Sequence, residues 1–122
     1  MSKELLIAVI DDDESFRTAL VELLCSLGYG VRHFASAEEF VAAGRVNSYD
    51  CIVTDIHMPG MSGIDLKRLL TANDHRVPVM MITARTEPGL EASALACGAV
   101  CLLRKPFETD ALIGSLENAL KA

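Results

Sequence analysis

The sequence has little of what nucleic-acid binding or membrane insertion requires. It contains no run of Lys or Arg, and its 11 basic and 17 acidic residues give a formal net charge of -6. Because nucleic-acid binding needs a basic patch, we expect none through this domain. No apolar run approaches the roughly 18 residues of a membrane span, and no cationic segment followed by a long apolar stretch opens the chain. These absences predict a cytoplasmic protein with no membrane partner.

The cysteines do not form a zinc-binding pattern. Only Cys97 and Cys101 are close in sequence, and the three histidines lie far apart. Structural zinc sites need paired ligands at short spacing, which this chain does not provide. We interpret Cys25, Cys51, Cys97 and Cys101 as reduced thiols, mostly buried in the core.

Apolar residues are abundant and follow two spacing patterns along the chain. With 122 residues and 51% hydrophobic content, residues 1–122 are expected to form one globular domain. Continuous apolar runs such as Leu5–Ile10 are typical of parallel strands covered on both faces. Apolar residues at three- and four-residue steps indicate helices, with Gly28 and Gly98 as C-terminal caps and Ser36 with Glu39 as a capping box. The predicted strands are Leu5–Ile10, Val31–Phe34, Cys51–Thr54, Val77–Ile82 and Ala99–Leu103. The predicted helices are Glu14–Leu27, Ser36–Ala43, Ile64–Asn73, Pro88–Cys97 and the segment from Glu108 onward.

Alternation of strands and helices predicts an α/β fold with right-handed crossovers. Five strands would form a doubly wound parallel sheet with five helices on its two faces. The strand order 2-1-3-4-5 is the commoner order in small doubly wound sheets, and it places strands one and three side by side where the order reverses. The functional crevice of such sheets lies beyond the carboxyl ends of the strands at that point.

Charged and hydroxyl side chains follow four of the predicted strands. Asp11 and Asp12 follow the first strand, Asp55 the third, Thr83 the fourth and Lys105 the fifth. Parallel strands bring all of these groups to one edge of the sheet. Crowded carboxylates repel one another, so at neutral pH they need a cation among them or must hold protons. The pattern predicts a magnesium-dependent phosphoryl site.

Each group has a distinct predicted role in such a site. Mg2+ prefers oxygen ligands and keeps several waters, so Asp12, Asp55 and the backbone carbonyl of His57 could hold it. Asp55 would keep a free oxygen for in-line attack on a phosphoryl group. Lys105 and Thr83 would contact the other phosphoryl oxygens, since phosphoryl transfer depends mainly on positioning and charge neutralisation.

Taken singly, these residues have ordinary structural interpretations. An Asp at a strand end is more often a helix N-cap, which is all that Asp13 or Glu14 needs to be. Thr83 alone would also be read as a cap. Pro106 after Lys105 predicts a cis peptide in a tight turn that aims the lysine inward. Five suitable groups at four strand ends together favour the functional interpretation.

These residues also resemble those of the receiver domain of bacterial two-component response regulators, over essentially the whole chain. The matching segments are Ile7–Glu14, Val53–Gly63, Ile82–Ala84 and Lys105–Phe107. The resemblance implies a flavodoxin-like (CheY-like) fold in which Asp55 accepts a phosphoryl group from the phosphohistidine of a sensor kinase or phosphotransfer protein. It implies that Asp11 and Asp12 form the acidic pocket for Mg2+ and that Thr83 and Lys105 complete the site. Such a domain is a phosphoacceptor with self-catalysed phosphorylation and dephosphorylation only, and is not otherwise an enzyme.

The sequence around Asp55 and the stretch from Ala99 to Phe107 are most similar to those of receivers of FixJ-type transcription regulators. An effector domain that binds DNA usually follows such receivers. This chain ends where the last receiver helix would finish, so an excised domain and a stand-alone receiver both stay open.

On this resemblance, the switch is expected to depart from the pattern of many receivers. Leu102 stands where many receivers have a Tyr or Phe whose rotation reports phosphorylation, so we expect coupling through Thr83 and the backbone instead. His57 and Arg85 flank the expected route of water to the acyl phosphate and are predicted to tune its lifetime. The surface of helix four and strand five is predicted to change on phosphorylation, to promote a homodimer and to control an output such as transcription.

Other functional classes stay open on the residues alone. Asp11, Asp13 and Ser15 match the D-x-D-x-S opening of haloacid-dehalogenase-type phosphatases, in which Asp11 would be the nucleophile. That class needs a further acidic pair beyond the lysine, and only Glu108 and Asp110 follow it. A pseudo-receiver acting as a binding module is the third class, and the intact set of five residues argues against it. Flavin binding is weaker still, because acids stand where a phosphate-cradling loop would be needed.

Overall fold

A computed structural model describes residues 4–121 as alternating strands and helices. The strands are β1 (Leu6–Ile10), β2 (Gly30–Phe34), β3 (Cys51–Asp55), β4 (Val79–Thr83) and β5 (Cys101–Arg104). The α-helices are α1 (Glu14–Ser26), α2 (Ala37–Ala43), α3 (Gly63–Ala72), α4 (Leu90–Ala96) and α5 (Thr109–Lys121), and a short 3-10 helix (Val46–Ser48) precedes β3. The predicted five strands and five helices are therefore confirmed within the described residues.

The five strands form a parallel sheet in the predicted order β2-β1-β3-β4-β5. The strand ends are in close register, since Asp55 lies opposite Ile82 and Thr83 lies opposite Arg104. The loops after β1, β3, β4 and β5 consequently emerge side by side at one edge of the sheet.

Side chains on the two faces of the sheet form two separate cores. Ile7 and Val9 of β1 belong to the core that includes Leu112 of α5, while Ala8 and Ile10 belong to the core that includes Phe40 of α2. Because both faces are covered, the strand runs are continuously apolar rather than alternating. Full burial of a side chain such as Leu112 stabilises the fold by about 1.5–3 kcal/mol.

Local capping fixes where several helices begin and end. Asp13 caps α1 by accepting a hydrogen bond from the Phe16 N–H, so its ordinary structural interpretation was correct. The Ser36 hydroxyl accepts the Glu39 N–H at 3.1 Å, as the capping pattern predicted. Gly28, after the end of α1, has a φ of 96°, a conformation that glycine adopts without steric cost.

Many predicted boundaries were wrong by one or two residues, and four of these differences have a clear local reason. The strand β4 begins at Val79 instead of Val77, because Pro78 has no N–H for the ladder. The strand β5 begins at Cys101 instead of Ala99, whose N–H bonds back to the last turn of α4 at Ala94. The helix α4 begins at Leu90 because Gly89 has a φ of 80°. The helix α3 begins at Gly63 because Ser62 and Asp65 form a capping box, which was not predicted.

The prediction of mostly buried cysteines is met in full at Cys51 alone of the four. Cys25 is exposed, since it lies one residue beyond the core-facing Leu24 and therefore on another side of α1. Cys51 is fully buried, and burial raises the pKa of its thiol to about 12, which keeps it unreactive. Cys97 and Cys101 are half-buried. Within residues 4–121, no helix is both long and apolar enough to cross a bilayer.

Candidate functional site

Three carboxylates converge at the carboxyl edge of the sheet, where β1 and β3 lie side by side. One oxygen from each of Asp11, Asp12 and Asp55 lies within 4.8 Å of the others. Asp11 is completely buried and Asp55 is 7% exposed, while Asp12 faces solvent. The neighbouring strands account for this crowding, because Asp55 ends β3 and Asp11 follows the last residue of β1.

Lys105 neutralises part of this cluster. Its Nζ donates to Asp11 Oδ2 at 2.9 Å and to Asp55 Oδ2 at 3.1 Å. Burial lowers the pKa of Lys105, but its hydrogen bonds and its attraction to the two carboxylates outweigh burial and raise that pKa above its ordinary value. The lysine is therefore a permanent cation in the site.

Asp11 is the most constrained carboxylate of the cluster. Burial is the main cause that raises its pKa, with repulsion from Asp55 adding to it, while bonds from the Asp13 N–H and Lys105 oppose the rise. Its Oδ1 accepts the Asp13 N–H at 2.9 Å, and its backbone carbonyl accepts from Arg17 Nη1 at 2.7 Å. These contacts fix Asp11 against the first turn of α1.

An aromatic pair that the sequence pattern did not predict supports Lys105 from the side of α1. Lys105 Nζ lies 4.0 Å from the centre of the Phe16 ring, a distance at which a cation is attracted to the ring face. The Phe16 ring in turn packs edge-on against Phe107. The peptide bond between Lys105 and Pro106 is cis. The available signal was a Phe in the first turn of α1 together with the Lys-Pro-Phe sequence.

The backbone around Asp55 is held by the loop that follows β3. Asp55 Oδ1 accepts the N–H of His57 at 3.1 Å. Gly63, the first residue of α3, packs directly on this segment, and its N–H bonds to the Ile56 carbonyl at 3.0 Å. A Cβ at Gly63 would overlap the backbone oxygen of Asp55. The glycine at this position therefore sets how close α3 approaches the end of β3.

Thr83 ends the neighbouring strand β4 and is fully buried. Its Oγ1 accepts the Arg85 N–H at 3.0 Å and lies 3.3 Å from His57 Nδ1. Its carbonyl accepts the N–H of Lys105 at 2.8 Å, which ties the ends of β4 and β5 together. Arg85 is exposed and forms an ion pair with Glu87, a partner that the sequence pattern did not predict.

The predicted site residues thus occupy the loop edge of the sheet, apart from Leu102. Leu102 lies within β5 opposite Met81, is half-buried and packs against the core on the α2, α3 and α4 side. Its neighbours are aliphatic, so a leucine fits there without needing a polar partner.

The donor chemistry of the acidic cluster suits a hard divalent cation. Asp11, Asp12 and Asp55 offer oxygen ligands only, and Mg2+ prefers oxygen. One carboxylate faces solvent, which leaves room for the waters that Mg2+ retains.

Comparison with known proteins agrees with this geometry. The family model of the response regulator receiver domain matches residues 7–117. This chain belongs to the response regulator receiver family. The receiver is 39% identical over 94% of its length to the transcriptional regulatory protein FixJ of Bradyrhizobium diazoefficiens, of which it covers 56%. It is 33% identical to the response regulator protein TodT of Pseudomonas putida over 94% of this chain and 51% of that protein. The receiver therefore spans about half the length of these curated relatives.

Solved structures give the same fold. The receiver matches the FixJ-N crystal structure with a TM-score of 0.88 at 31% identity, covering 98% of this chain and 96% of that one. It matches the response regulator StyR with a TM-score of 0.90 at 39% identity, covering 98% of this chain and 60% of that one. The predicted flavodoxin-like fold and the similarity to FixJ-type receivers are confirmed.

The family assignment also decides between the functional classes left open by the sequence. The receiver is a regulatory phosphoacceptor of two-component signal transduction, and receivers bind Mg2+ at an acidic pocket. The alternative of a haloacid-dehalogenase-type phosphatase with Asp11 as its nucleophile is not supported. In the structure Asp11 is fully buried, and each of its side-chain oxygens already has a partner.

Proposed function

We propose that Asp55 is the residue that accepts the phosphoryl group, from the phosphohistidine of a sensor kinase or phosphotransfer protein. The observation that carries this proposal is the position of Asp55 at the end of β3, 3.1 Å from the Lys105 ammonium and in one cluster with Asp11 and Asp12. Asp11 is fully buried, whereas Asp55 is 7% exposed and still lies beside Lys105.

The transfer needs one bond to form and one to break. An oxygen of Asp55 attacks phosphorus with its electron pair, and the phosphorus–nitrogen bond of the phosphohistidine breaks. The departing imidazole nitrogen keeps that electron pair and takes up a proton. Lys105 lies where it can neutralise a phosphoryl oxygen, and the Thr83 hydroxyl, one strand further, would donate to another.

The acidic cluster would hold Mg2+ during this step. The proposed oxygen ligands are Asp11, Asp12, Asp55 and the backbone carbonyl of His57. The chemistry that a bound Mg2+ supplies is neutralisation of charge on the transferring phosphoryl group. The site residues all belong to this chain, which supports self-catalysed phosphorylation from small donors and self-catalysed hydrolysis of the product.

Phosphorylation is proposed to act on the face formed by α4 and β5. Thr83 connects the site to this face, because the loop after β4 leads into α4 and Lys105 follows β5. Leu95 and Val100 are 48% and 43% exposed there, an apolar surface suited to a second copy of the chain. We propose a phosphorylation-dependent homodimer that controls an output such as transcription. In the full-length protein a DNA-binding domain outside residues 1–122 would deliver that output in the cytoplasm.

Mass spectrometry of the intact protein tests the central proposal. The wild type is incubated with acetyl phosphate and Mg2+, and we expect a gain of one phosphoryl group. Asp55→Asn should gain none, because an amide oxygen is a poor nucleophile. Asp110→Asn is the matched control, since it changes an exposed aspartate of α5 outside the cluster. It should be modified like the wild type.

Two outcomes would contradict the proposal. Equal modification of Asp55→Asn and the wild type would place the phosphoryl group on another residue. An unchanged mass of the wild type with both donor and Mg2+ present would remove the phosphoacceptor role of this site. Omission of Mg2+ should slow the modification by more than about tenfold if the cluster supplies the proposed metal site.

A further inference from the structure

Side chains of the loop after β4 form a chain of contacts that begins outside the phosphorylation site. Glu87 Oε1 accepts a hydrogen bond from Arg85 Nη1 at 3.1 Å and lies 3.8 Å from His57 Nε2. The other ring nitrogen, His57 Nδ1, lies 3.3 Å from Thr83 Oγ1. Glu87 is thus connected through one imidazole ring to the hydroxyl that is proposed to contact the phosphoryl group.

The charge of Glu87 selects how the imidazole bonds to Thr83. A neutral imidazole has a hydrogen on one nitrogen and a lone pair on the other. A carboxylate beside Nε2 attracts an N–H there and repels a lone pair, so it favours the form with hydrogen on Nε2. In that form Nδ1 is an acceptor, and the Thr83 hydroxyl is the donor that faces it.

Thr83 is then fully occupied within its own loop. Its oxygen accepts the Arg85 N–H at 3.0 Å, and in the Nε2–H form of His57 its hydrogen points to Nδ1. A hydroxyl has a single hydrogen to donate, so Thr83 cannot serve His57 and a phosphoryl oxygen at the same time.

We propose that Glu87 is a positioning residue that holds Thr83 in its resting orientation by fixing the tautomer of His57. This inference rests on the proposed function of Asp55 and Thr83. To contact a phosphoryl group on Asp55, the Thr83 hydroxyl must leave Nδ1, and the contact with Glu87 makes that step less favourable. Glu87 therefore weakens the response of the site to a phosphoryl group, although it lies outside the acidic cluster.

The expected effect is modest because the pair is open to solvent. The side chains of Arg85 and Glu87 are 60% and 51% exposed, and His57 is 27% exposed. Interactions at such positions are screened and change an equilibrium constant by about two- to fivefold.

Binding of beryllofluoride, a mimic of the phosphoryl group, measures the effect directly. In the presence of Mg2+ we expect Glu87→Ala to bind it about two- to fivefold more tightly than the wild type. Nitrogen NMR of the His57 ring should show a shift from the Nε2–H form toward a mixture of tautomers. Glu91→Ala is the matched control, because Glu91 is an exposed acid in the first turn of α4 and its substitution removes the same charge. It should leave both readings unchanged.

A thermodynamic cycle separates positioning from a general effect on the loop. In a Thr83→Ala background no hydroxyl remains to be held, so adding Glu87→Ala should no longer change the affinity for beryllofluoride. A structural effect of Glu87 on the loop would persist in that background and would overturn the inference. Identical His57 ring shifts in Glu87→Ala and the wild type would also overturn it.

The failure of this inference can be told apart from failure of the proposed function. If Asp55→Asn binds beryllofluoride as well as the wild type, the proposed phosphoacceptor is wrong. If binding requires Asp55 but Glu87→Ala behaves like Glu91→Ala, only the role of Glu87 is wrong.

Discussion

At the scale of single residues, Lys105 determines whether the acidic cluster can exist in a folded protein. It contacts Asp11 at 2.9 Å and Asp55 at 3.1 Å, and neither carboxylate is more than slightly exposed. Losing one partner of a buried ion pair leaves an uncompensated charge, which costs about 3–5 kcal/mol. One ammonium between two carboxylates still leaves a net negative site, and that residual charge is what a divalent cation or a proton would relieve.

The same imbalance predicts that the stability of Asp11→Asn relative to the wild type rises with pH in the absence of Mg2+. The pKa of Asp11 is raised above its ordinary value of 3.8, mainly by burial. For an acid with a raised folded-state pKa, the unfolded chain loses its proton first, so wild-type stability falls as the pH passes from the unfolded pKa through the folded one. An amide has no such titration, and its oxygen can still accept the Asp13 N–H.

Urea unfolding in EDTA, compared between about pH 4 and pH 7, measures this difference. The stability of Asp11→Asn relative to the wild type should be larger at the upper pH. Asp110→Asn reports the effect of removing one charge at an exposed site of α5. A relative stability of Asp11→Asn that is flat or falls with pH would contradict the prediction.

Single residues also show how far the sequence could predict the site. Asp11, Asp55 and Thr83 could be assigned to one edge because each terminates an apolar run, and parallel strands end together. Phe16 beneath Lys105 and Glu87 beside His57 could not be assigned in this way. Phe16 fits the helical spacing of a core residue, and Glu87 is one exposed acid among several. Their roles depend on side-chain contacts made after the elements pack together.

At the scale of elements, the apolar patterns located each strand and α-helix of residues 4–121 but not the 3-10 helix, and the ends depended on backbone bonding. The strand β5 was predicted to begin at Ala99, but the N–H of that residue completes the turn that closes α4. The helix α3 begins one residue early because Ser62 and Asp65 cap it reciprocally. Periodicity measures which residues face the core, and it carries little information about which N–H group bonds to which carbonyl.

The start of α3 leads to a prediction about Gly63. A Cβ added at Gly63 would meet the backbone of Asp55 and Ile56, so a methyl group there must displace backbone. We expect Gly63→Ala to lower the free energy of unfolding by about 1–3 kcal/mol, as overpacking does. It should also slow phosphorylation by acetyl phosphate, because the Asp55 carboxylate would move away from Lys105. Urea unfolding and intact mass spectrometry measure the two effects.

Gly114 provides the matched control for Gly63. It lies within α5, and a Cβ there would meet nothing within 4 Å. Gly114→Ala should raise the free energy of unfolding by about 0.5–1 kcal/mol, since alanine favours the helix over glycine. Similar stabilities for the two variants would show that α3 can move away from β3 without penalty.

At the scale of the whole molecule, the strand order places the acidic cluster and the face of α4 and β5 in different parts of the sheet. The strands β1, β3 and β4 lie inside the sheet, and the carboxylates and Thr83 lie at or directly after their ends, whereas β5 is at an edge. Lys105 follows this edge strand, and exposed apolar side chains lie on α4 at Leu95 and just before β5 at Val100. A change at the site can therefore reach this face without rearranging the centre of the sheet.

This arrangement predicts that phosphorylation promotes self-association through the face of α4 and β5. Sedimentation should show a larger mass when beryllofluoride and Mg2+ are present than when they are absent. Leu95→Ser removes an apolar side chain from that face, and in a two-fold interface each substitution acts twice. Burial of a leucine is worth about 1.5–3 kcal/mol, so partial loss on both copies should weaken association by at least about tenfold.

Leu27→Ser is the control, because Leu27 is similarly exposed at the far end of α1. Because neither leucine contacts the acidic cluster, both variants should still bind beryllofluoride. Weaker association of Leu27→Ser with Leu95→Ser unchanged would move the interface away from α4, and one mass under both conditions would remove it.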